Sequence, residues 1–177
     1  MIKKAGQDKT SWYFSNIDET LALASALFDE HGQHLLANQD VADGLARLRC
    51  HEADLQEQMR AMDMGSRCGQ CAAREGGGCC SAYMGGNADS VLLLINLLLH
   101  TDVRFQHDNG VDCRYLGQTG CILPIKPIFC LNYNCTHIKN AATETEMTLL
   151  DQRAATLLSA QRELETLLVD LLDQCGS

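Results

Sequence analysis

"VADGLARLRCHEADLQEQMRAM", residues 41–62, steps between Val41, Leu45, Leu48, Glu52, Leu55, Met59 and Met62 by four and three in alternation, with Glu52 the one polar interruption. An α-helix turns once every 3.6 residues, so these steps line one face. "MTLLDQRAATLLSAQRELETLLVDL", residues 147–171, repeats the pattern through Met147, Leu150, Ala154, Leu157, Gln161, Leu164, Leu168 and Leu171. An apolar stripe of this length must be covered, and a second stripe of the same period covers it. The spacing therefore predicts long helices packed antiparallel within the chain. A homodimer through the same seam is the alternative.

Working outward, Ser15 or Asn16 can cap a preceding helix that Asp18 and Glu19 favour in its first turn, with His31 at its end and Gly32 as its stop. The 41–62 helix should begin at Asn38 and end at Gly65. "VLLLINLLL", Val91–Leu99, has nine residues interrupted by Asn96, about half of the ~20 needed to cross a bilayer. It reads as a short buried helix, capped by Ser90 and closed by His100. Beyond it, "VRFQH" and "VDCRYL" flank Asn109-Gly110, a strong signal for a β-hairpin. "GQTG" turns again before "CIL", which would leave Cys113 and Cys121 on neighbouring strand ends. The expected fold is mainly α in one domain, residues 1–177. Amphipathic helices from 1–65 and 141–177 form a bundle around a compact cysteine-rich lobe, 66–140, with a small β-hairpin.

That lobe holds eight of the ten cysteines, and their function is therefore local. The net charge of −9 is uneven: residues 15–65 carry −7, 141–177 carry −5, and 66–140 carry +1. No basic stripe exists to release counterions from a nucleic acid, so none is expected as partner. The start, "MIKKAGQDKTSWYFSN", lacks the apolar core of a signal peptide, and a cytoplasmic, reducing location without membrane attachment is expected.

The spacing is Cys68-x2-Cys71-x7-Cys79-Cys80, then Cys113-x7-Cys121-x8-Cys130-x4-Cys135. A C-x2-C turn lets two thiolates converge on one ion at about 2.3 Å from each, and a second pair completes a tetrahedral site for zinc. Four thiolates also hold an iron-sulfur cluster, while disulfides suit a reducing compartment poorly. The metal candidates are thus Cys68, Cys71, Cys79, Cys80, Cys113, Cys121, Cys130 and Cys135. We favour a four-iron cluster, because Gly76-Gly77-Gly78 can expose backbone N–H groups to cluster sulfides; zinc remains the alternative. Either would leave a residual negative charge, which Arg67, Arg74, Arg114 and Lys126 stand near enough in sequence to offset. Cys50 and Cys175 read as small apolar residues packed on helices, and His137 is the one histidine placed to add a ligand.

The ordered set Cys68-Gly-Gln-Cys71, Cys79-Cys80, "DCRYL", "GCIL" and "KPIFC" resembles the CxxCxxCC family of zinc- or iron-chelating domains, to which the cysteine region of flagellin lysine N-methylase is also similar. The family pattern runs C-x2-C-x2-C-C, C-x-[FL], G-C-x-[IL], R-P-x2-C. This chain departs from it with seven residues between Cys71 and Cys79 and with Lys126 in place of the arginine. Cys135 lies outside the pattern. The resemblance spans about 66–140 and implies a chelated zinc or iron centre and, at one remove, a link to protein lysine methylation. With no P-loop, G-x-G-x-x-G, H-E-x-x-H or G-x-S-x-G, an enzyme acting alone is not expected. A redox or accessory protein with a protein or redox partner is.

Overall fold

Asn16 starts the first long helix. Its Oδ1 accepts the backbone N–H groups of Asp18 at 3.1 Å and Glu19 at 3.0 Å, and Glu19 returns the favour by accepting the Asn16 N–H at 3.3 Å, a reciprocal capping box. The computed structural model describes residues 10–13, 16–72, 78–117 and 120–175. It is mainly α-helical, with one small antiparallel sheet. In chain order come α1 (Thr10–Tyr13), α2 (Ile17–Ala37), α3 (Gln39–Ala61), α4 (Met64–Ala72), α5 (Ala82–Gly85) and α6 (Ser90–Leu98). Strands β1 (Leu116–Gly117) and β2 (Gly120–Cys121) follow, then α7 (Ile128–Asn132), α8 (Thr136–Lys139) and α9 (Glu144–Cys175). No helix among the described residues is long and apolar enough to cross a membrane.

The two striped helices lie against each other: α3 packs on α9, and α2 packs on α6. Val41, Leu45, Leu48 and Leu55 are buried on one side of the seam, Leu150, Leu157, Leu164 and Leu168 on the other. At Gly44 the fit is tight: a Cβ would stand 2.9 Å from Leu164 Cδ1. In α6 every residue except Leu97 is buried. A helix apolar on all sides must be wrapped by others, and α1, α2 and α9 all touch it.

Four local expectations are corrected. Gly32 does not stop α2; it lies inside the helix, where a Cβ would meet the Phe28 ring at 3.0 Å, so ring packing explains the glycine. Helix α3 ends at Ala61 and not at Gly65, because Asp63 turns into the left-handed region at φ 52° and α4 begins at once. Helix α6 is capped by Asp89, whose Oδ1 accepts the Leu92 N–H at 2.8 Å, while Ser90 Oγ donates to the Thr20 carbonyl. His100, at φ 62°, does close it.

The fourth correction concerns the hairpin. Gly110 has φ 71°, but Asn109 does not have the positive φ that a type I′ turn requires at both positions. Instead Asn109 Oδ1 accepts the N–H groups of Val111 and Asp112 at 3.0 and 2.9 Å, an Asx turn. Residues 111–113 then pair with a distant partner, residues 80–82, around an antiparallel bridge from Ser81 to Asp112. The sheet forms at the second predicted turn, with Leu116 opposite Cys121 and Gly117 opposite Gly120.

Asn96 explains why the apolar helix is interrupted. Its side chain is fully buried; Nδ2 donates to the carbonyls of Leu92 and Ile125 at 2.9 Å each, and Oδ1 accepts the Ile125 N–H at 3.1 Å. An amide side chain thereby pairs with a peptide group as a neighbouring strand would. Replacing it with leucine strands both polar groups of Ile125 in the core, at about 1–3 kcal/mol each. We expect Asn96→Leu to lower the urea midpoint by an amount equal to about 2 kcal/mol or more. Leu157→Ala, in the α3–α9 seam, should cost about 2–5 kcal/mol, whereas Cys50→Ser on the exposed face should stay within about 0.5 kcal/mol.

Candidate metal centre

Helix α4 brings the first pair of sulfurs. Cys68 and Cys71 are three residues apart on it, not in a turn as their spacing suggested, and that interval keeps them on one helix face. Helix α4 packs against α8 and against β2. Cys135 is the N-cap residue of α8, and Cys121 ends β2. The neighbours whose charge bears on the Cys68 thiol are accordingly Cys79, Cys135 and Cys71.

A second set forms around the backbone pairing. Cys113 N–H donates to the Cys80 carbonyl at 3.0 Å, and Ala82 N–H donates to the Val111 carbonyl at 2.8 Å. In this register Cys80 and Cys113 stand directly opposite each other, and directly opposed side chains share a face. Helix α5 closes over them: a Cβ on Gly85 would lie 3.1 Å from Cys113 Sγ. Two residues after Cys113, the Tyr115 N–H donates to its sulfur; two residues after Cys121, the Leu123 N–H does the same. Tyr115 and Leu123 are each 1% exposed.

Cys130 is delivered by the segment that Asn96 pins. Pro127 caps α7 and its carbonyl accepts the Cys130 N–H at 2.9 Å. Cys121, Cys113 and Cys79 all act on the Cys130 thiol, as does Lys126. Lys126 is buried, with Nζ donating to the Pro124 carbonyl, and its charge favours the thiolates of both Cys121 and Cys130. The other expected cations are engaged elsewhere. Arg114 pairs with Asp18 and Asp108 and lies over the Phe105 ring. Arg67 donates to the Met62 carbonyl, and Arg74 lies outside the described residues.

Burial sets the protonation of most of these thiols. It is the largest cause holding Cys68, Cys113, Cys121 and Cys130 above the ordinary value, Cys130 to about 12. Cys121 and Cys130 nonetheless keep exposed surface. The vicinal pair behaves differently. A hydrogen bond between the two side chains lowers Cys79 to about 6 and raises Cys80, so Cys79 carries the negative charge and Cys80 donates its S–H.

All ten cysteines are free thiols. Cys50 and Cys175 are exposed on the outer faces of α3 and α9, so neither packs into the core as expected. His137 falls on α8, two residues after Cys135. Among the described residues, no three His, Cys, Asp or Glu side chains stand in an arrangement that would hold a metal ion. The sulfurs are within electrostatic reach of one another without converging. Thiolates repel one another and neutral thiols gain little by approach. Sequence reasoning missed Tyr115, whose buried hydroxyl has no hydrogen-bond partner and which Cys113 and Cys121 both influence. It also missed Asn96 as the pin; the signal was one amide in an otherwise apolar helix. Compared with known proteins, the chain matches no family model, no curated protein and no solved structure.

Thiolate fraction governs alkylation. In reduced protein treated with chelator, iodoacetamide should label Cys79 first, with its rate rising through pH 6 and flat by pH 8, while Cys130 stays unmodified through that range. Cys80→Ala removes the S–H donor and should move the Cys79 profile upward. Peptide mass mapping across pH checks both, and equal labelling of the two at pH 7 would contradict the assignment.

Proposed function

We propose that this protein holds an iron-sulfur cluster, of the four-iron type, through thiolates drawn from Cys68, Cys71, Cys79, Cys80, Cys113, Cys121, Cys130 and Cys135, in a redox or accessory role and not as an enzyme on its own. The observation that carries this reading is that sulfurs from α4, the 79–82 segment, its partner segment 111–113, β2, α7 and the start of α8 lie within electrostatic reach of one another. In this reading the long helices of the two ends frame a cysteine-rich lobe, residues 66–140.

The donor set fits the group chemically. Thiolates are the ligands such clusters take, and N–H groups aimed at sulfur, as at Cys113 and Cys121, tune cluster potential. The unpartnered Tyr115 hydroxyl is a further donor beside the same sulfurs. A bound cluster would supply one-electron transfer. The chain's own residues would hold it, offset its charge through Lys126, and limit water through the packing of α5 and α7. Tyr83, Val111, Ile128, Phe129 and Tyr133 are exposed close to these cysteines in sequence, and exposed apolar side chains of this kind suit a protein or redox partner.

Zinc in the same thiolates is the second reading, since a four-sulfur donor set serves either metal; the protein would then be a structural interaction module. The relation to the CxxCxxCC family, and through it to lysine methylation, rests on the order of the cysteines alone. Purification without oxygen followed by iron, sulfide and zinc analysis separates the readings. We expect iron and inorganic sulfide in equal amounts, with a brown colour that bleaches on reduction. Zinc in a colourless, redox-silent sample would replace this reading with the structural one.

A further inference from the structure

We infer that a pocket between the α3–α4 turn and the α8–α9 turn binds a small zwitterion of the α-amino acid class, with Arg67 taking its carboxylate and Asp63 and Glu146 its ammonium group. The site uses no cysteine and stands apart from the metal-thiolate reading.

The pocket arises where two chain reversals meet. Helix α3 packs on α9, and α4 packs on α8. At the first reversal Asp63 takes φ 52° and α4 begins at once. At the second, Glu146 Oε2 accepts the Thr143 N–H at 2.7 Å and its hydroxyl at 2.8 Å, while Thr143 Oγ1 accepts the Glu146 N–H at 3.2 Å. Gln58 Nε2 donates to the Glu146 carbonyl at 3.1 Å and so fixes this second turn to α3. Between the turns lies a cavity of about 110 Å³ whose lining includes Met62, Asp63, Arg67, Ile138, Ala142 and Glu146. One water needs ~10–15 Å³ and a drug-sized ligand ~300–1,000 Å³, so the space suits a ligand of a few heavy atoms.

The charges of the lining are unspent. Arg67 Nε donates to the Met62 carbonyl at 3.3 Å, and its two terminal amino groups bond to nothing among the described residues. The Asp63 carboxylate has no hydrogen-bond or ion-pair partner among them either, and Glu146 keeps Oε1 free. Opposite charges therefore line one small pocket, yet no ion pair closes between them. Each is held by its own turn. A carboxylate fits the paired amino groups of a guanidinium, and an ammonium group has three donors for the free carboxylate oxygens. An anion alone would face two carboxylates, and a cation alone would face Arg67, so a ligand bearing both charges is selected. Met62 and Ile138, 7% and 4% exposed, give its short side chain an apolar floor.

Titration of the full-length protein with L-alanine at neutral pH, followed by methyl NMR, tests the site. Saturable shifts are expected at the Ile138 and Met62 methyls and none at Ile125. Propionate and ethylamine, each carrying one of the two charges, should bind roughly tenfold or more weakly. Arg67→Gln and Asp63→Asn should weaken alanine binding by a similar factor; asparagine accepts the left-handed backbone at position 63, and circular dichroism checks that both variants fold. Lack of saturable alanine binding, equal affinity for the three probes, or unchanged binding in both variants would overturn the inference.

Discussion

The amide of Asn96 sits at zero exposure in the most apolar helix of the chain and gives both of its hydrogen-bonding ends to work that a strand would otherwise do. Through it, the backbone at Ile125 is held against α6, with Leu123 and Ile125 buried on that surface. Cys121 lies on one side of this anchored segment and Cys130 on the other. A buried amide left unpaired would be costly, so the helix and the segment constrain each other. The sulfurs are thus located by the hydrophobic core, one hydrogen-bonded pair removed from it.

Burial and charge oppose each other at the thiols. Desolvation favours the protonated form at Cys68, Cys113, Cys121 and Cys130, and neighbouring sulfurs push in the same direction at Cys68, Cys113 and Cys130. N–H donors from Tyr115 and Leu123 and the Lys126 ammonium push the other way. In the metal-thiolate reading proposed above, a cation would offset the burial and crowding that hold these thiols neutral. The Cys79–Cys80 pair is the exception in that one thiol is already ionised, because its neighbour donates to it.

The long helices were legible because their information is periodic and local. A 3.5-residue repeat needs no knowledge of distant residues, and its Gln161 and Glu52 interruptions are absorbed at the seam, where Gln161 is buried and Glu52 half-buried. The hairpin at Asn109-Gly110 was misplaced for the complementary reason. The turn residues are correct for a reversal, but the segment after them finds its partner some thirty residues earlier in the chain, at 80–82. Likewise Gly32 looked like a stop, and only the Phe28 ring packed on its Cα shows what the missing side chain is for.

By itself the sequence determined the helical class, the heptad seam, the capping asparagines and the concentration of sulfur in one region, since each depends on residue type and spacing over a few turns. Only the tertiary structure decided which sulfurs are neighbours, that Lys126 and not Arg114 faces them, and that Asn96 ties the apolar helix to the segment between Cys121 and Cys130. Those outcomes depend on contacts between residues far apart in the chain, and a contact of that kind is chosen by the packing of the whole core.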